Sequence, residues 1–186
     1  MIKADHISLS FAEKKVLQDL TIQLPDSGVV AIQGPSGCGK TSLLRILSGL
    51  LQPDSGKVTG FENRKIGIVF QEDRLLPWKS VLENVTITGC GRQQAIALLQ
   101  ALELAETPDC LPKELSGGMK RRVSIARALA YTKDVLFLDE PFNGLDPEVK
   151  HKTASLISGS AKLIIVITHD ETETRLLSDT PVLILL

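Results

Sequence analysis

Gly34-Pro35-Ser36-Gly37-Cys38-Gly39-Lys40-Thr41 fits the pattern G-x-x-x-x-G-K-[ST]. Average residue usage produces that pattern by chance in roughly one chain of this length in 150. Its context adds to the signal, because a β-branched run precedes it (Gly28 to Gln33) and a helical run follows it (Lys40 to Leu50). A strand, a glycine loop and a helix start together form a phosphate cradle. Glycines let main-chain N–H groups converge on one anion, and the helix start adds partial positive charge. Lys40 would reach the β- and γ-phosphates, and the Thr41 hydroxyl would hold Mg2+. The candidate nucleotide-binding residues therefore run from Gly34 through Ser42. Cys38 reads as a small residue tolerated in the loop.

The rest of the pattern is α/β. Ile2 to Phe11 and Val16 to Leu24 alternate well enough for two antiparallel strands, joined by a polar turn at Ala12-Glu13-Lys14-Lys15. Gln52-Pro53-Asp54-Ser55-Gly56 reads as a turn. Ile66 to Phe70, Val135 to Leu138, Leu163 to Thr168 and Val182 to Leu185 read as further strands. Helices are predicted over Arg92 to Ala105, after Pro147, and over Asp170 to Ser178. Residues 75 to about 131 read as a mostly helical lobe. Continuous apolar strands alternating with helices imply a parallel sheet covered on both faces. The whole chain, 1–186, is predicted to form one domain.

Several function classes find no support. The formal net charge is −1 and aromatics are 4% of the residues, so neither overall charge nor a stacking surface points to nucleic acid. Three separated cysteines form neither a disulfide framework nor a zinc pattern. No run approaches the ~20 apolar residues that span a bilayer. The early acid in Met1-Ile2-Lys3-Ala4-Asp5-His6 argues against a signal peptide.

Two further groups carry chemistry. Val135-Leu136-Phe137-Leu138-Asp139-Glu140 is an apolar strand ending in two acids, at the strand edge where ligands bind in open α/β sheets. Asp139 is the candidate for the Mg2+ shell, and Glu140 for aligning or deprotonating a water. Leu115-Ser116-Gly117-Gly118-Met119-Lys120-Arg121-Arg122, followed by Ala126-Arg127-Ala128-Leu129, resembles the signature of ATP-binding cassette (ABC) ATPases. Other marks of that family follow in order. Gln71 matches the Q-loop glutamine, Gly144-Leu145-Asp146 the D-loop, and His169 the switch histidine. Phe11 stands where the family places an aromatic that stacks on adenine.

The resemblance implies a P-loop NTPase with a mostly parallel core sheet, an N-terminal antiparallel β subdomain and a shortened helical subdomain. It implies ATP hydrolysis with Mg2+ by a head-to-tail pair of domains, a homodimer in the simplest case. Each ATP would touch one protomer's phosphate loop and the other's Ser116, Gly117 and Gly118, and Asp146 of the D-loop would belong to the same nucleotide-binding set. Gln71 would contact Mg2+ or the attacking water, and His169 the γ-phosphate and that water. The implied partners are a transmembrane permease and, indirectly, an extracytoplasmic solute-binding protein. The implied location is peripheral, on the cytoplasmic face of the plasma membrane.

Departures from the family pattern include Met119 and Arg121 where Gln is common, Asn143 before the D-loop, and Ser178-Asp179-Thr180-Pro181. The run from Gln71 to Ser116 is short for the family, and its terminal hairpin and helices do not follow Leu185-Leu186. The stretch from Gln71 through Leu76-Pro77-Trp78 to Val85 resembles importers of the nitrate, aliphatic sulfonate and taurine kind, and Met119 agrees. In that reading Leu76, Pro77 and Trp78 receive the permease. The alternatives are an importer of another solute, a repair or translation ATPase of the same family, and a non-catalytic binding module. The repair type needs a long coiled coil, for which the helical lobe has no room. The translation type joins two cassettes where this chain has one. A binding module would not need Lys40, Asp139, Glu140 and His169 together.

Overall fold

The computed structural model describes residues 1–12 and 14–186. β1 (Ile2–Phe11), β2 (Lys14–Leu24) and β4 (Ser55–Thr59) form an antiparallel sheet in the order β2-β1-β4. β3 (Gly28–Gln33), β5 (Ile66–Val69), β6 (Val135–Asp139), β7 (Leu163–Ile167) and β8 (Val182–Leu185) form a second sheet, ordered β5-β6-β7-β3-β8. Every pairing in this second sheet is parallel. The helices are α1 (Lys40–Leu47), α2 (Val81–Thr86), α3 (Arg92–Ala101), α4 (Gly117–Tyr131), α5 (Pro147–Ile157) and α6 (Glu171–Leu177).

Strand periodicity explains the layering. Side chains alternate between the faces of a strand, so a run of five apolar residues buries both. Val135, Phe137, Leu163, Ile165 and Ile167 share one core with α1 and the antiparallel sheet. Leu136, Leu138, Ile164 and Val166 share the other with α2 to α6. The parallel sheet is thus the wall between two cores, and the loops leaving its strands' C-terminal ends gather at one edge.

Some elements differ from the sequence pattern. The helix predicted to reach Leu50 ends at Leu47, because Gly49 takes φ 75° and the Leu50 N–H turns back to Arg45 O at 2.8 Å. The helix predicted to reach Ala105 ends at Ala101. Glu103 takes φ 57° there, and the Leu104 N–H returns to Leu99 O at 2.8 Å, which folds Leu104 into the core. The predicted turn at 52–56 overlaps β4, whose strand character comes from pairing with β1. Its largely exposed Ser-Gly-Lys-Val-Thr sequence carries no apolar rhythm. Gly56 is required there, since a Cβ would stand 2.4 Å from the carbonyl oxygens of Asp5 and His6. Of the predicted polar turn at 12–15, Glu13 lies outside the described residues. Lys14 and Lys15 are paired strand residues, opposite Phe11 and Ser10.

Candidate nucleotide-binding and hydrolysis site

The loop between β3 and α1 is built by its glycines. Gly34, Gly37 and Gly39 all take positive φ, at 152°, 78° and 109°. At Gly39 a Cβ would meet Val16 Cγ1 at 2.9 Å, so the loop also needs glycine to pass under β2. The Lys40 ammonium folds back across the loop and donates to Gly34 O and Pro35 O, both at 2.8 Å. Cys38 Sγ lies 3.9 Å from the same nitrogen. The lysine is therefore already aimed over the loop it would serve. Pro35 and Ser36 are exposed, and Ser42 is partly buried in the first turn of α1. Phe11, half exposed, flanks a cleft of about 230 Å³ lined by Val16, Gly37, Gly39, Lys40, Thr41 and Ser42. The aromatic and the phosphate loop thus face one space.

β6 lies in the same sheet as β3, one strand removed, and delivers its acids beside the loop. Thr41 Oγ1 donates to Asp139 Oδ2 at 3.0 Å across 98 positions of sequence. Asp139 is buried. Burial pushes its carboxyl above the ordinary range, the hydrogen bond from Thr41 opposes this, and the neighbouring Glu140 charge adds to the rise.

Glu140 leaves the end of β6 with φ 49°, a left-handed conformation costly for a residue with a side chain. Its N–H is held by Ile167 O at 2.9 Å, at the end of the neighbouring β7. Two residues beyond that end, His169 Nδ1 lies 3.1 Å from both Glu140 carboxylate oxygens. Strand adjacency therefore makes the pair. The hydrogen bond and charge of Glu140 raise the His169 pKa. The sign follows: the imidazolium pair adds stability in full below the unfolded-state value, and loses it as pH rises through the raised folded value. His169 is largely exposed, so solvent keeps that contribution small. In an NMR titration, His169 should have its midpoint above 6.5, and Glu140→Gln should return it toward 6.5. An unmoved midpoint in that variant would mean that the pair does not form in solution.

The remaining candidates lie apart from this cluster. Ser116 caps α4, and its Oγ accepts from the Met119 N–H at 3.3 Å. A Cβ on Gly118 would stand 3.0 Å from Gly144 O, so the signature glycine abuts the Gly144-Leu145-Asp146 loop. Exposed Asp146 occupies the N-cap of α5 without a side-chain bond. Gln71 is exposed just beyond β5. Among the described residues, no hydrogen bond joins Ser116, Gly117, Gly118, Asp146 or the Gln71 side chain to the phosphate loop.

The ABC transporter family profile matches residues 17–143. The chain belongs to the ABC transporter family. Its fold is that of a P-loop NTPase cassette, and its activity is that of an ATPase. This cassette is 41% identical over 177 residues to the aliphatic sulfonates import ATP-binding protein SsuB 1 of Pseudomonas savastanoi pv. phaseolicola, covering 91% of this chain and 74% of that one. It is 38% identical over 201 residues to the taurine import ATP-binding protein TauB of Rhizobium johnstonii, covering 95% and 76%. Among solved structures it resembles the dimeric structure of MJ0796, a bacterial ABC transporter cassette. That match has TM-score 0.86 and 29% identity over 95% of this chain and 91% of the other.

Two features of the cassette escaped the sequence reading. Arg121 and Arg127 donate to main-chain carbonyls of the segment holding Gln71. Glu173, buried on α6, accepts from Thr168 Oγ1 at 2.7 Å and from Lys150 Nζ at 2.6 Å, which ties the strand end before His169 to α5. Arg121 stands between Lys120 and Arg122, so nothing local marks it as the buried one. Nothing local announces Glu173 either.

Proposed function

We propose that this cassette hydrolyses ATP to drive a membrane importer of small sulfonates, of the aliphatic sulfonate or taurine kind. The observation that carries the solute class is the identity to two such import proteins over more than nine-tenths of the chain. The chemistry rests on the juxtaposition of Lys40, Thr41, Asp139, Glu140 and His169.

The phosphate loop, Gly34 to Thr41 and on to Ser42, binds the ATP phosphates, and Phe11 stacks on the adenine. A buried carboxylate bonded to a hydroxyl is a hard oxygen pair that suits Mg2+. Among the described residues no group of three or more His, Cys, Asp and Glu side chains could hold a metal by itself. Thr41 and Asp139 would hold Mg2+, with Gln71 beside it, and the ion would neutralise charge on the β- and γ-phosphoryl oxygens. Glu140 orients the attacking water and accepts its proton. His169 positions Glu140 and contacts the γ-phosphate. Water attack releases ADP and inorganic phosphate.

Ser116, Gly117 and Gly118 start α4, where N–H groups are free to receive an anion. They serve the ATP of a second copy, and the working unit is a homodimer with Asp146 at the junction. No helix among the described residues is long and apolar enough to cross a membrane. As the likeness to import ATP-binding proteins suggests, a transmembrane permease fed by an extracytoplasmic solute-binding protein carries the solute. The cassette sits peripherally on the permease's cytoplasmic side, docked through residues 75–85. Trp78 is 71% exposed there, a large apolar surface suited to a partner. Trp78→Glu should release the cassette from membranes containing its permease while leaving ATP affinity unchanged. Unaltered membrane association, measured by sedimentation, would overturn the docking site.

A further inference from the structure

We propose that Arg121 is a positioning residue of the ATPase, fixing Gln71 by gripping the main chain beneath it. The inference rests on the role given to Gln71 above. The segment from Phe70 to Ser80 has no helix or strand of its own. Its carbonyls therefore need donors from elsewhere. Arg121, on the second turn of α4, is only 5% exposed, with NH1 2.5 Å from Phe70 O and NH2 2.6 Å from Gln71 O. NH1 also lies 3.4 Å from Asp73 Oδ1, a buried oxygen with no hydrogen-bond donor. Further along α4, Arg127 donates to Arg74 O at 2.9 Å and to Asp73 O at 3.1 Å. The Arg74 guanidinium in turn lies 4.1 Å from the Phe70 ring centre.

The fork explains the residue type. Two N–H groups on one rigid plane reach two successive carbonyls, while a lysine offers a point charge and a glutamine a single amide. The Gln71 side chain thus stays exposed on a main chain tied to α4. The same helix begins at Ser116, Gly117 and Gly118.

The test compares Arg121→Met, Arg121→Lys, Gln71→Ala and the Arg121→Met/Gln71→Ala double variant, in the full chain at high protein concentration. Arg121→Met keeps the length of the side chain and removes its donors, so it should lower kcat by about tenfold, the scale typical of groups that orient a site's ligands. The Kd for ATP should stay within about twofold. Arg121→Lys keeps the charge and loses the fork, so it should show the same loss, and it carries the test if Arg121→Met fails to fold. In the Gln71→Ala background Arg121→Met should add nothing, because both act through one group. A further loss of about tenfold there, or unchanged kcat in both single Arg121 variants, would overturn the positioning role. Gln71→Ala measured alone separates the two readings, since unchanged kcat in that variant defeats the role of Gln71 itself.

Discussion

Glu140→Gln should lower kcat for ATP hydrolysis by about 10²–10⁴-fold and leave ATP binding in place. Glutamine keeps the shape of the side chain at the end of β6 but cannot accept a proton from water. A general base acts mainly in the transition state, so its loss falls on turnover rather than on affinity. The substitution also removes a negative charge from the edge where the γ-phosphate would sit. An ATP-bound pair of protomers should therefore accumulate, seen as a dimer by size-exclusion chromatography with light scattering. Adding Ser116→Arg should abolish that dimer without abolishing ATP binding by the monomer, because a long cation would occupy the start of α4. Wild-type turnover in Glu140→Gln would remove Glu140 from the chemistry. A dimer surviving Ser116→Arg would remove the signature from the shared site.

Lys40→Ala should weaken ATP binding by roughly 10- to 150-fold, the equivalent of losing a charge-assisted contact worth about 1.5–3 kcal/mol. Turnover should vanish with it. The Lys40 ammonium bonds to Gly34 O and Pro35 O. Pro35 is exposed and Gly34 half-buried, so water can replace the lysine, and the free protein should lose little stability. The loss should thus appear in calorimetric titration with ATP rather than in thermal unfolding. Wild-type affinity would exclude the loop as the phosphate site.

The phosphate loop was legible because its chemistry is local. Eight consecutive residues supply the positive-φ glycines, the cation and the hydroxyl, and the flanking patterns supply strand and helix. The central parallel strands β3, β6 and β7 were legible for a similar reason. Two-sided burial demands continuous apolar runs, as in Leu163–Ile167, and such runs have few other uses at that length. Exposed β4 had no such requirement, and only its pairing with β1 makes it a strand.

Sequence alone thus determined which residues are candidates for the chemistry, because residue type and spacing along one element suffice to nominate a donor, a base or a cradle. Tertiary structure alone decided which of them meet. Thr41 reaches Asp139 because β3 and β6 belong to one sheet, and Glu140 reaches His169 because β6 and β7 are neighbours. Arg121 finds the carbonyls of Phe70 and Gln71 because α4 packs against the segment leaving β5. These contacts span 98, 29 and about 50 positions, and no local pattern encodes them. The partners of a buried polar group are set by which strands lie side by side, and strand order is a property of the whole folded chain.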